Sequence, residues 1–223
     1  LIEVGRQKAE AINFRLRSSF FRLQTMKIAV IKYNSGNVQS VLYALERLGA
    51  HPILTDDPDE IKSADRVIFP GQGEASTAMG YLKARGLVQV IRDIKQPFLG
   101  VCLGLQLLCE HSEENDTECL GIFPVKVKKF IPENSQEFKV PHVGWNELEN
   151  LKSNPLLKDL PENPFVYYVH SYYAELSDAT IATTHYIHDF TAILNRDNYW
   201  AIQAHPEKSS EVGEKLLSNF LNI

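Results

Sequence analysis

Apolar and polar positions follow two different periods along this chain. Residues 27–33 read as a short apolar strand, and Asn34, Ser35, Gly36 and Asn37 follow as a turn. Val38, Val41, Leu42, Leu45 and Leu48 then recur at helical spacing, with Gly49 where a helix C-terminal glycine belongs. Further strands are predicted at 52–55, 66–69 and 97–101. Pro70-Gly71-Gln72-Gly73 ends the third strand in a loop, and helical pattern resumes near Ser76 and again from Leu103 to Glu110. This strand–helix alternation predicts an α/β fold of three layers, a mostly parallel central sheet with helices on both faces. The second half is richer in strands, at 125–131, 143–147, 165–173, 180–186, 191–195 and 199–204. A terminal helix follows, capped by Ser209 or Ser210, with Glu211 and Glu214 near its positive end and a stripe of Val212, Leu216, Leu217 and Phe220. No internal repeat or low-complexity linker interrupts the pattern.

Composition narrows the function classes. The 223 residues carry a net charge of −5, so the whole chain offers no attraction to nucleic acid or an anionic membrane. No apolar run of about 18 residues appears, so no bilayer span is predicted. The three cysteines, Cys102, Cys109 and Cys119, include no C-x-x-C pair. That favours neither a disulfide framework nor a zinc knuckle, and points to a reducing cytoplasm. Residues 1–25 differ from the rest. They hold Arg6, Lys8, Arg15, Arg17 and Arg22 against Glu3 and Glu10, and the character changes at Met26. They read as an N-terminal extension outside the fold, or as a docking helix built on residues such as Phe14 and Phe20, or as a targeting segment. The predicted domain is 26–223.

The sharpest chemical feature is Gly100-Val101-Cys102-Leu103-Gly104. A strand enters a tight turn flanked by glycines and a helix leaves, which is the geometry of a nucleophile elbow with Cys in place of Ser. The helix N-terminus favours a thiolate, and the Leu103 N–H can face an oxyanion. The same five residues also fit a buried structural cysteine at a strand end. Cys109 and Cys119 read as core packing. A nucleophilic thiol needs a base and a group that orients the base. His205-Pro206-Glu207 supplies both if the segment is extended, since residues 205 and 207 then project to one side. Alone, this tripeptide fits a surface turn equally well. His185 and His188 complete no metal-site pattern, and His51 and His111 carry no argument.

Elbow, His-Pro-Glu and the Pro70–Gly73 loop together resemble the class I (triad) glutamine amidotransferases. Residues 141–146 (Pro-His-Val-Gly-Trp-Asn) and 168–173 (Tyr-Val-His-Ser-Tyr-Tyr) are similar, more narrowly, to the glutaminase-subunit family of imidazole glycerol phosphate synthase, from Met26 to the end. The resemblance implies a flavodoxin-like fold and hydrolysis of glutamine to glutamate and ammonia in histidine biosynthesis. Cys102 would be the nucleophile, His205 the proton shuttle and Glu207 its orienter. Backbone N–H groups of Gln72, Gly73 and Leu103 would hold the oxyanion. Gly71, Gln106, Glu114, His170, Ser171 and Tyr172 would bind glutamine. Glu114 makes chemical sense opposite an α-ammonium, yet it also fits a solvated charge, and His170 fits a satisfied strand histidine. The resemblance also implies a heterodimer with a (β/α)₈ cyclase subunit, met through Asn34, Trp145, Asn146 and Tyr167, and no cofactor or metal. Gln72 departs from the valine that many members carry there. Three rivals stay open: a glutaminase serving another synthase, a non-catalytic binding protein on this fold, and a cysteine peptidase.

Overall fold

The computed structural model describes residues 23–33, 36, 38–134 and 136–223. Most of the 1–25 segment and the candidate interface residue Asn34 therefore lie outside the described residues. Five parallel strands form the heart of the sheet: β1 (Ile28–Ile31), β2 (Pro52–Thr55), β3 (Arg66–Phe69), β4 (Phe98–Val101) and β13 (Tyr199–Ile202), in the order β2-β1-β3-β4-β13. All four residues of β1, β3, β4 and β13 are buried. That is why these segments read as continuous apolar runs rather than alternating ones. Ala29 and Ile31 point into one core, and Ile28 and Val30 into the other. Helices α2 (Pro58–Ser63), α3 (Ala75–Ala84), α4 (Leu87–Asp93) and α5 (Leu103–Leu108) cover the first face. Helices α1 (Val38–Arg47) and α6 (Ser210–Leu221) cover the second. The three predicted layers are present.

Beyond β13 the sheet turns antiparallel through β12 (His188–Arg196), with β11 (Thr180–Tyr186) paired beside it. It continues through β10 (Tyr172–Ala174) and β7 (Lys126–Lys129) to the two-residue strands β5 (His111–Ser112) and β6 (Thr117–Glu118). The predicted strand at 165–173 is in fact two. β9 (Phe165–His170) pairs with β8 (His142–Glu147) in a separate two-stranded ribbon, while β10 joins the main sheet. Ser171 is the break, and it lines the cleft described below. The period-2 pattern runs through the break, so it gave no warning. Helices α2 and α4 were not anticipated, being six and seven residues long. The terminal helix also differs from expectation. Ser209 makes no side-chain cap. Its hydroxyl donates to His205 O at 2.6 Å and accepts from Tyr167 N at 2.9 Å.

Candidate active site

Strand β4 delivers Cys102 to the N-terminus of α5 with φ 51° and ψ −106°, a conformation rare outside glycine. Holding it costs about 1–3 kcal/mol, offset by the surrounding packing. The flanking glycines make it possible. A Cβ on Gly104 would sit 2.1 Å from Phe69 O, and one on Gly100 would sit 2.8 Å from Gly104 O. Gly71 is required by the same crowding, since its Cβ would lie 2.6 Å from Leu103 Cβ and 2.7 Å from Gly104 N. The Pro70–Gly73 loop thus lies directly against the start of α5. Tyr33 Oη donates to Pro70 O at 2.5 Å, and Gly36 N donates to Gln72 O at 2.9 Å, which tie the loop to the end of β1.

His205 follows β13, the strand beside β4, so adjacent parallel strands end at the two residues. The expectation of an extended His-Pro-Glu segment is corrected. Pro206–Lys208 forms a 3-10 turn, and the turn rather than an extended strand brings Glu207 back to the imidazole. Glu207 Oε1 lies 2.7 Å from His205 Nδ1. A carboxylate only accepts, so Nδ1 carries the proton. Both side chains are buried, 1% and 3% exposed. Among the described residues, His205 Nε2 has no hydrogen-bond partner. Burial alone would favour the neutral imidazole, but the charge of a Cys102 thiolate and the Glu207 carboxylate outweigh it and raise the imidazole pKa. The His205 backbone is pinned by its N–H to Tyr167 O at 2.9 Å and by Ser209.

A cleft of about 400 Å³ opens in front of Cys102. Gln72 and Gly73 border it from the loop, and Leu103 and Gln106 from α5. Glu114 and the His170–Tyr172 segment close it from the other side. Gly71 does not reach it. Pro141 and Val169 complete the wall, and neither was singled out from sequence. Glu114 accepts from Ala75 N at 2.8 Å through one oxygen. Burial raises its pKa above the ordinary carboxylate range, partly countered by that bond, and the neighbouring Glu74 adds to the rise. His170 donates from Nδ1 to Tyr172 O at 2.7 Å, and burial lowers its pKa to about 3. It is a neutral imidazole.

The ribbon β8–β9 presents Trp145 opposite Tyr167, with Val143, Trp145 and Phe165 exposed by 56%, 53% and 46%. Asn146 points the other way, as neighbours on a strand must, and donates to His185 O at 2.9 Å. His185 and His111 sit in exposed pairs with Asp189 and Asp116. Among the described residues no group of three His, Cys, Asp or Glu could hold a metal ion, and no helix is long and apolar enough to cross a membrane.

The family model "Glutamine amidotransferase class-I" matches residues 29–223. Imidazole glycerol phosphate synthase subunit HisH of Bacteroides thetaiotaomicron is 52% identical over 198 residues, covering 89% of this chain and 100% of that one. Subunit HisH 2 of Legionella pneumophila strain Paris is 44% identical over 196 residues, 88% of this chain and 98% of that one. The chain belongs to the HisH family of class-I glutamine amidotransferases. PurLQS from Thermotoga maritima shares the fold, with a TM-score of 0.65 over 88% of this chain and 98% of that one at 18% identity. Within this family fold, the elbow, the loop and the His-Pro-Glu turn meet at one end of the parallel strands. Besides Pro141 and Val169, two residues that pack behind the cleft carry no role of their own in the sequence analysis. Gln203, two positions before His205, donates from Nε2 to Cys102 Sγ at 3.7 Å. His142 lies 3.2 Å from His170. Their period-2 spacing from His205 and Asn146 was a signal, though a weak one.

Proposed function

We propose that this chain is the glutaminase subunit of an imidazole glycerol phosphate synthase, with Cys102, His205 and Glu207 as its catalytic triad. The observation that carries the reading is Cys102 held at positive φ, in front of a cleft and beside a buried His205–Glu207 pair. Glutamine enters the cleft with its α-ammonium against the free oxygen of Glu114. Cys102 Sγ attacks the side-chain amide carbon, forming the S–C bond while the carbonyl electrons move onto oxygen. The backbone N–H groups of Leu103 and of the Gln72-Gly73 loop face that oxyanion. The C–N bond then breaks, and protonated His205 gives its Nε2 proton to the leaving nitrogen, which departs as ammonia. A glutamyl thioester remains. Neutral His205 takes a proton from water, the hydroxide adds, and the C–S bond breaks; glutamate leaves, its new carboxyl proton lost to solvent, with the Cys102 thiolate and protonated His205 restored. Glu207 keeps the proton on Nδ1 so that Nε2 faces the chemistry throughout.

The ammonia acceptor belongs to a second subunit, a (β/α)₈ cyclase in this proposal, docked over Trp145 and Tyr167. Histidine biosynthesis, a cytoplasmic location and a heterodimer are parts of the same proposal. Glutamate release is measured with and without the cyclase subunit and its nucleotide ligand, for wild type and Cys102→Ala. Release that needs Cys102 and is stimulated by the partner is expected. Equal turnover with and without partner contradicts the gated subunit, and no release from a verified complex contradicts the enzyme.

A further inference from the structure

The hydrogen bonds behind Cys102 run in two branches that meet at Tyr172 O, which fixes the direction of each. Tyr172 O, a carbonyl, only accepts. It takes bonds from Gln106 Nε2 at 3.0 Å and from His170 Nδ1 at 2.7 Å. The first bond orients the Gln106 amide, whose Nε2 also donates to Gln203 Oε1 at 3.3 Å. Gln203 must therefore turn its own Nε2 to Cys102 Sγ. The second bond leaves His170 Nε2 as acceptor, so His142 Nδ1 donates to it and His142 Nε2 accepts from Asn146 Nδ2 at 3.4 Å. Asn146 is oriented independently, with Nδ2 donating to His185 O and Oδ1 accepting from Glu147 N at 2.8 Å. A flipped Gln203 would set donor against donor at Gln106 and an oxygen against the sulfur.

We propose that Gln203 belongs to the catalytic centre, where it donates a hydrogen bond to Cys102 Sγ that aims the sulfur and stabilises the negative charge with which it attacks. Gln106, itself oriented by Tyr172 O, holds it in that orientation. The chemistry rests on the glutaminase reading, but the Gln203–Cys102 contact does not. Gln203 is fully buried, and its backbone N–H is held by Ala192 O at 2.8 Å, so the amide approaches the sulfur from a fixed base. The other charged or titratable groups around the sulfur are His205, with Glu207 behind it, and Glu114, His170 and Tyr172 in the cleft wall.

The test uses the full chain bound to its partner subunit and the variant Gln203→Met, which keeps the length and loses the donor. Two rates are read: alkylation of Cys102 by iodoacetamide, located by peptide mass spectrometry, and glutamate release. Each is expected to fall by about tenfold, the worth of one hydrogen bond to a charged group, with KM little changed. A merely structural role would lower the melting temperature without slowing alkylation of the folded protein. Wild-type alkylation and turnover in Gln203→Met overturn the proposal. If that variant does not fold, Gln203→Glu, isosteric with the donor replaced by oxygen, reads the same rates against the same outcomes. Absence of glutamate release in the wild type would sink the glutaminase reading instead, and the alkylation ratio alone then decides Gln203.

Discussion

Gly213 lies in α6, where alanine ordinarily stabilises a helix by about 1 kcal/mol. Here the sign should reverse. A Cβ at Gly213 would stand 1.9 Å from Pro206 O and 2.8 Å from Ser209 Cβ, so helix and turn must part by about 1 Å. Overpacking of this kind costs about 1–3 kcal/mol, which exceeds or cancels the helix gain. The turn that must move carries His205 and Glu207, and a shift of about 1 Å at a catalytic group costs about 100-fold in rate. Gly213→Ala is therefore expected to lower kcat by about two orders of magnitude, with a melting temperature unchanged or lower by a few degrees. Gly80→Ala is the control. Gly80 lies in α3 with nothing within 4 Å of the new Cβ, so this variant should gain about 1 kcal/mol and keep its activity. Calorimetry and glutamate release on both variants decide the matter. A Gly213→Ala protein that is more stable and fully active would refute the claim that α6 braces the catalytic turn.

Glu114→Gln should raise KM for glutamine by about tenfold with a smaller effect on kcat, since an ion pair to substrate is lost. Because burial raises the Glu114 pKa, wild-type KM should climb on the acid side at a pH where an ordinary carboxylate is still charged. Burial lowers His142 to about 4 and His170 to about 3, against 6.5 for the free side chain. The unfolded chain then binds more protons than the folded one below about pH 6.5, so their contribution to stability is complete above that pH and is lost toward pH 4 for His142 and pH 3 for His170. Denaturant titrations should show His170→Gln, although less stable at neutral pH, losing less between about pH 7 and pH 5 than wild type does. Trp145→Ala should weaken docking to the cyclase subunit by about 30-fold, or about 2 kcal/mol, and leave the melting temperature of the isolated chain in place; unchanged affinity in a titration would move the interface elsewhere.

Much of this arrangement is legible in the sequence, for identifiable reasons. The buried parallel strands announce themselves as apolar runs, and 66–69 matches the observed bounds; 52–55 matches too, although Ile53 and Leu54 lie exposed on the edge strand. The elbow is legible because its glycines have no alternative, with Phe69 O leaving no room at Gly104. What stays hidden depends on contacts distant in sequence. The split at Ser171 is set by two different pairing partners, which period-2 alternation cannot distinguish. Ser209 has the sequence of a helix cap, but its hydroxyl is drawn to His205 O and Tyr167 N. Asn146 sits next to Trp145 in sequence and on the opposite face in space. Glu207 reaches His205 through a turn where an extended segment was expected, so the same contact arises from a different backbone.

The central claim is that Cys102 carries the glutamyl group during turnover. Its most direct test is rapid quenching of the partner-bound protein with glutamine, followed by intact-mass and peptide analysis. One glutamyl adduct per chain on Cys102, absent in Cys102→Ala, is the predicted result. Glutamate release that proceeds at the wild-type rate in Cys102→Ala, with no adduct on any residue, would contradict it.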